Sequence, residues 1–239
     1  MAFLVILVSQ VPAQDRVFIY AAASLQDAID DATDVYENMT GIRVTPVYAS
    51  TSAVARQIVA GAPADAVILA DEEWGYWLAG QINLPAAVIV ARNRLVLLGH
   101  PDAPMLSAID QLSQALGDSP LAMADVEAVP AGQYGKAALT ALGLWEQLEG
   151  RVVQAADVRA ALRFVASGDV PFGVGYASDA VAMPDLSVAF NFPTETHRAI
   201  FYPAYSLTPS GAGFVEFLAS EDGQDVLTEW GFVRAEAAQ

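Results

Sequence analysis

Residues 16–52 read RVFIYAAASLQDAIDDATDVYENMTGIRVTPVYASTS, and the pattern of this stretch decides the fold. Residues 16–21 are apolar, β-branched and aromatic, the composition of a buried strand. From Ser24 the period changes. Leu25, Ala28, Ile29, Ala32, Val35, Tyr36 and Met39 recur at helical spacing. Ser24-x-x-Asp27 has the form of a capping box, and Gly41 supplies the stop. Residues 42–48 return to a strand pattern, and 52–60 form a second, shorter helix. Outward from this unit the alternation continues. Strands are predicted at 66–69, 87–98 (interrupted at Arg92-Asn93-Arg94), 121–124, 152–155, 172–177, 188–192 and 200–206. Helices are predicted from Asp71, at 108–116, 132–142 and 157–166, and over 213–230. Alternating strands and helices specify parallel sheets covered by helices, an α/β class. The strands outnumber one comfortable sheet, so two lobes are expected, with crossovers near 92–95 and 198–202.

Composition narrows the function. The chain has 239 residues, 28 Asp+Glu against 11 Lys+Arg, a formal charge of −17 and no cysteine. With 54% hydrophobic residues it is too apolar for a disordered acidic chain. Depletion in Lys and Arg argues against a nucleic-acid surface, since counterion release needs clustered cations. The lack of cysteine removes disulfides, thiolate metal sites, thiol catalysis and a lipidated cysteine anchor. Residues 1–8, MAFLVILV, are shorter than the ~20 apolar residues of a spanning helix. They match the apolar stretch of a secretory signal, with Val11-Pro12-Ala13-Gln14 as the cleavage region, although a positive flank is missing. A buried first strand is the alternative. Residues 1–14 are therefore set apart, and the mature chain is expected to begin near Asp15.

Four strand-to-helix junctions share small or hydroxyl residues: Ala22-Ala23-Ser24, Ser50-Thr51-Ser52, Pro130-Ala131-Gly132 and Ala156-Asp157-Val158. Helix N-termini carry unpaired N–H groups and the positive end of the dipole, and small side chains admit a ligand to that backbone. At the carboxyl ends of strands in an open α/β sheet, such junctions converge where ligands bind. Together they make an anion site without a cation. Each one alone is also an ordinary N-cap.

These residues carry a family resemblance. Ala21-Ala22-Ala23-Ser24-Leu25 is followed by Tyr48-Ala49-Ser50-Thr51-Ser52 with Ala55-Arg56-Gln57-Ile58, by Gly61-Ala62-Pro63-Ala64-Asp65, and by Ala70-Asp71-Glu72-Glu73-Trp74. Then come Ala91-Arg92-Asn93, Val129-Pro130-Ala131-Gly132-Gln133-Tyr134, Asp157-Val158-Arg159-Ala160-Ala161-Leu162, Gly175-Tyr176-Ala177-Ser178-Asp179-Ala180 and Trp230-Gly231-Phe232. In this order, from about residue 16 to 233, they resemble the periplasmic molybdate-binding proteins of molybdenum ABC importers. The resemblance implies a two-lobed type II periplasmic binding protein, each lobe a mostly parallel sheet flanked by helices and joined by two crossover strands. Residues 15–92 with 200–239 would form one lobe and 93–199 the other. It implies high-affinity binding of molybdate and tungstate in the cleft between the lobes, and delivery to a membrane permease. The molybdenum would have no direct protein ligand, and no cofactor and no enzymatic activity are expected. The chain would be a free periplasmic monomer.

By the same resemblance, Ser24 binds oxygen through its hydroxyl and backbone N–H. Thr51 stands where the family has the second serine of a Ser-Ser-Ser run, a departure that keeps the hydroxyl. Ala70 marks a backbone contact after the third strand. Ala131 and Val158 supply backbone N–H donors from the second lobe, and the Tyr176 hydroxyl closes the site. A fully deprotonated dianion only accepts hydrogen bonds, so neutral donors suit it. Protonated phosphate needs an acceptor that a carboxylate-free shell withholds, whereas sulfate must be rejected by size.

Other features have plainer readings. Asp71-Glu72-Glu73 has the composition of a metal cluster but also of a helix first turn. Gly173-x-Gly175-x-x-Ser178 resembles a dinucleotide loop but lies in a strand pattern. His100 and His197 read as surface residues, and Arg56 and Arg159 as exposed helical residues. No Gly-x-Ser-x-Gly elbow exists. The alternatives are the same fold tuned to another tetrahedral oxyanion such as sulfate, and a hydrolase using the carboxylates near Asp71.

Overall fold

The computed structural model describes residues 16–235, so the expected signal segment lies outside the described residues. The first lobe begins with β1 (Arg16–Ala22), a single 3-10 turn (Ala23–Leu25), α1 (Gln26–Thr40), β2 (Arg43–Ala49), α2 (Thr51–Val59), β3 (Ala66–Ile68) and α3 (Glu72–Ala79). β4 (Val88–Asn93) and β5 (Leu95–Gly99) carry the chain across. The second lobe continues with α4 (Leu112–Leu116), β6 (Leu121–Ala124), α5 (Pro130–Ala141), α6 (Trp145–Leu148), β7 (Val152–Ala155), α7 (Val158–Ala166), β8 (Phe172–Tyr176), α8 (Ala177–Ala182) and β9 (Ser187–Asn191). β10 (Ile200–Ser206), α9 (Pro209–Ala219), α10 (Glu221–Glu229) and β11 (Val233–Arg234) return to the first lobe.

Two sheets result. One has the order β11-β4-β10-β3-β1-β2, the other β7-β6-β8-β5-β9. The expected parallel pairing holds on one side of each, where β1 pairs with β2 and β3, and β6 with β7 and β8. The crossover strands add antiparallel pairs: β10 with β3 and β4, and β5 with β8 and β9. The sheets are therefore mixed. A strand that enters a lobe from the neighbouring lobe has no covering helix to reverse it, so it runs against the strands already there. The crossing falls at Arg94, because Asn93 ends a strand of one sheet and Leu95 begins a strand of the other.

Alternation along β1 explains why both faces of the first sheet are covered. Val17, Ile19 and Ala21 point into a core with Leu25, Ile29 and Ala32 of α1 and its preceding turn. Tyr20 points the other way, with Val54 and Ile58 of α2 and Leu78 of α3. Period two in the strand meeting period 3.6 in the helices yields the layered arrangement. Gly41 caps α1 in the left-handed conformation (φ 74°) and donates its N–H to Glu37 O at 2.8 Å.

Candidate functional site

The site is built from helix starts. α2 begins at Thr51, and Ser50 caps it by accepting from Ala53 N at 3.4 Å. α7 begins at Val158, capped by Asp157, which accepts from Ala160 N at 2.8 Å. No side chain caps α5, which opens on Pro130, so its early N–H groups remain for another acceptor. Gly132 in its first turn is forced by packing. A Cβ there would lie 2.3 Å from Asp125 O and 2.4 Å from Ala124 O, so the turn rests directly on the end of β6. The expected capping box at Ser24 does not form. A 3-10 turn precedes α1 and no side chain caps the helix; Ser24 is engaged instead by Tyr202 of its own lobe and Asp27 by Arg159 of the other.

Ser24 Oγ lies 3.0 Å from Tyr202 Oη on β10. Tyr202 packs edge-on against Tyr176, with ring centroids 6.4 Å apart. Thr51 Oγ1 accepts from Ala70 N at 3.1 Å, so the Ala70 N–H has a partner inside the protein while the threonine proton is left to donate elsewhere. α7, which begins at Val158, packs on the 3-10 turn that carries Ser24. A cavity of about 300 Å³ near the starts of α2, α5 and α7 is lined by Ser50, Ser52, Val129 and Ala156 together with the charged Arg56 and Asp125. Of the six candidate positions, the structure joins Thr51 to Ala70 directly, and Ser24 to Tyr176 through Tyr202. All six are between 1% and 4% exposed, so a ligand reaches them by opening of the lobes.

The Tyr176 hydroxyl stands out. Tyr176 is 1% exposed, and its Oη has no hydrogen-bond partner among the described residues. Burial, foremost, and neighbouring Tyr202 push this phenol well above its ordinary value, so it stays a neutral donor. Leaving a buried hydroxyl unpaired costs on the order of 1–3 kcal/mol, which an anion oxygen would recover.

Two buried carboxylates, Asp71 and Asp179, are both held by protein partners. Asp179 Oδ2 accepts from Tyr176 N at 2.9 Å, and its Oδ1 lies 2.6 Å from Arg159 Nε. Burial pushes the Asp179 carboxyl up to about 6, against the opposing pull of Arg159. Asp71 caps α3 by accepting from Glu73 N at 2.6 Å and Trp74 N at 3.2 Å through Oδ1. Its Oδ2 accepts from Tyr134 Oη at 2.8 Å and Arg198 Nη2 at 3.2 Å. The reading of Asp71-Glu72-Glu73 as a helix first turn is thus correct, and among the described residues no acidic or histidine cluster suits a metal ion.

Sequence reasoning missed several partners. Arg159, read as exposed, has a side chain only 12% exposed and spans the lobes, with Nη2 2.8 Å from Asp27 Oδ2. Its neighbour Val158 shows why: the start of α7 is inserted against the first lobe, and the side chain after it follows. Arg56 is exposed, as expected, with its guanidinium over the Trp74 ring at 5.0 Å. His100 and His197, read as surface residues, are half-buried, and His197 packs edge-on against Tyr134 at 5.9 Å. Tyr202 and Asn93 belong to the site although no pattern singled them out. Asn93 was visible as a polar break in an apolar run and within the motif Ala91-Arg92-Asn93, without a role, and Tyr202 lies unmarked in the apolar strand 200–206.

Comparison with known proteins agrees with this geometry. The family model of bacterial extracellular solute-binding proteins matches residues 17–233. The chain is 32% identical to the molybdate-binding protein ModA of Escherichia coli (strain K12) over 230 residues, covering 92% of this chain and 89% of that protein. Its fold is similar to the Azotobacter vinelandii periplasmic molybdate-binding protein, with a TM-score of 0.81 at 21% identity, covering 92% of this chain and 100% of the other. It is also similar to the sulfate-binding protein SubI from Mycobacterium tuberculosis H37Rv, with a TM-score of 0.76 at 14% identity, covering 93% and 88%. Fold likeness at these identities does not choose the anion.

Proposed function

Because this chain belongs to the family of bacterial extracellular solute-binding proteins, we propose that it binds molybdate, and tungstate alike, in the periplasm and delivers it to the permease of an ABC importer. The observation that carries the anion class is the buried Tyr176 hydroxyl at the end of β8, beside Tyr202 and without a hydrogen-bond partner among the described residues. A tetrahedral dianion offers several acceptor oxygens. Ser24, Thr51 and Tyr176 are the hydroxyl donors in reach, and the backbone N–H groups of Ser24, Ala131 and Val158 add dipoles aimed at the same charge. Ala70 acts through Thr51, holding its oxygen so that its proton points to the ligand. Asp71 and Asp179 are each committed to protein partners, Asp71 to Tyr134 and Arg198, and Asp179 to Tyr176 N and Arg159, which favours a structural role for both over that of acceptor or base.

We assign β1–β4 with β10, α9, α10 and β11 to one lobe and β5–β9 with their helices to the other, the chain crossing at Arg94, and closure brings their donors together. The oxyanion is the sole ligand, the molybdenum touches no protein atom directly, and the chain acts as a free monomer without a cofactor or catalysis. The 32% identity to the Escherichia coli molybdate-binding protein favours molybdate over sulfate as cargo.

Calorimetry with molybdate, tungstate, sulfate and phosphate tests this reading. Submicromolar molybdate binding without competition from sulfate is expected. Ser24→Ala and Tyr176→Phe should each weaken it by on the order of 1–3 kcal/mol, the cost of an unpaired anion oxygen. Sulfate binding tighter than molybdate moves the cargo to sulfate, and no binding of any oxyanion sinks the reading.

A further inference from the structure

A polar chain at the crossover strands leads directly to Ser24. Asn93 ends β4, Tyr202 lies on β10, and Ile200 of β10 pairs with Asn93 in the sheet. All the participants are buried: Asn93 is 8% exposed, Tyr202 0%, Ser178 1% and Ser24 3%. The orientation of the Asn93 amide follows from its neighbours. Arg94 N donates to Asn93 Oδ1 at 2.9 Å, so Nδ2 occupies the other side. There it donates to Ser178 Oγ at 2.8 Å and to Tyr202 Oη at 3.3 Å. An amide nitrogen has two protons and no lone pair to offer. The Tyr202 oxygen therefore accepts from Asn93, and its own proton must go elsewhere. Among the described residues, the hydrogen-bonded neighbour able to receive it is Ser24 Oγ at 3.0 Å. Burial keeps Tyr202 in its protonated form. Ser24 Oγ then already accepts one hydrogen bond, and its remaining proton is directed away from Tyr202.

We propose that Asn93 and Tyr202 form a proton-ordering chain that fixes Ser24 as a hydrogen-bond donor toward the ligand, and thereby select an anion that carries no proton. This rests on the reading of Ser24 as an oxyanion contact. Asn93 and Tyr202 are positioning residues: they set the direction in which the Ser24 hydroxyl donates. An amide at 93 gives the chain one polarity, and a carboxylate would reverse it. A carboxylate there accepts from Tyr202 Oη, which in turn accepts from Ser24, so the serine proton is withdrawn and its lone pair faces the ligand. Monohydrogen phosphate can donate to that lone pair, and molybdate cannot.

The test compares the dissociation constants of molybdate and inorganic phosphate for the wild-type chain, Ser24→Ala, Asn93→Asp and Tyr202→Phe, with thermal melts to confirm folding. Asn93→Asp should weaken molybdate roughly tenfold or more while phosphate weakens less or tightens, so the phosphate-to-molybdate ratio of dissociation constants falls at least about tenfold. Tyr202→Phe leaves the Ser24 proton undirected, and the ratio should fall by a smaller factor. A merely structural role would weaken both anions alike and leave the ratio unchanged. If Asn93→Asp does not fold, Tyr202→Phe decides. Wild-type molybdate binding that Ser24→Ala weakens, with the ratio unchanged in the folded variants, overturns the chain alone. A wild-type chain that binds neither anion overturns the oxyanion reading and this inference together.

Discussion

At the scale of single residues, the cleft is governed by where protons and charges are held. Arg159 sits between Asp27 of one lobe and Asp179 of the other, so its charge is spent on closure and not on the anion. Asp179 is completely buried, and its carboxyl is raised from 3.8 to about 6. For a carboxyl raised in the folded state, the native chain binds more protons than the unfolded chain between those two values. Its contribution to stability is therefore fullest below about pH 3.8 and is lost as pH rises through about 6. Thermal melts of wild type and Asp179→Asn across this range should show the wild type's relative stability declining as pH rises, and a difference that stays constant with pH would contradict the raised carboxyl. Ser24, Thr51 and Tyr176 were legible from the sequence because their motifs are contiguous. The partners of Arg159 lie at Asp27 and Asp179, on elements of different lobes. No local period relates positions so far apart, and a charged residue after a helix start reads as solvated until the packing of that start is known.

At the scale of elements, the proposed site uses helix starts in place of cations. α5 is the clearest case, since no side chain caps it and Pro130 fixes its first turn. Gly132→Ala would place a methyl 2.3 Å from Asp125 O, and the first turn of α5 would have to lift from β6. The expected result is a loss of both stability and molybdate affinity, measured by thermal melt and calorimetry. Full retention of affinity would show that α5 contributes no donor. The residues 16–52 disclosed the β1–α1–β2 unit because strand and helix periods differ sharply there. The start of α1 was misplaced because Ser24 and Asp27 have the types of a capping box, yet both are drawn to Tyr202 and Arg159. Tertiary partners outcompeted the local cap. The antiparallel pairs of β5 and β10 were equally hidden, because strand direction is set by the crossover and not by the residues within it.

At the scale of the whole molecule, a chain of charge −17 must admit a dianion. Net charge describes the solvated surface, and its field is screened over ~8–10 Å in physiological salt. Capture depends on dipoles inside the closed cleft, so the association rate should rise as salt is added at low ionic strength. Trp74, whose Nε1 donates to Ala128 O across the cleft at 3.1 Å, offers an intrinsic fluorescence probe of closure. A rate that falls with salt would reveal a cationic entry site. Closure is also held by Tyr134 Oη donating to Asp71 Oδ2 at 2.8 Å between the lobes. Tyr134→Phe should leave association unchanged and speed dissociation about tenfold, since the bond forms only on closing to a charged, buried acceptor. An unchanged dissociation rate would remove this contact from the closing energy.

The most direct measurement is anomalous diffraction at the molybdenum edge from crystals grown with molybdate. One strong peak is expected between the lobes, its oxygens within hydrogen-bond reach of the Ser24, Thr51 and Tyr176 hydroxyls. A peak elsewhere on the protein, or none in the cleft, would contradict capture by these neutral donors.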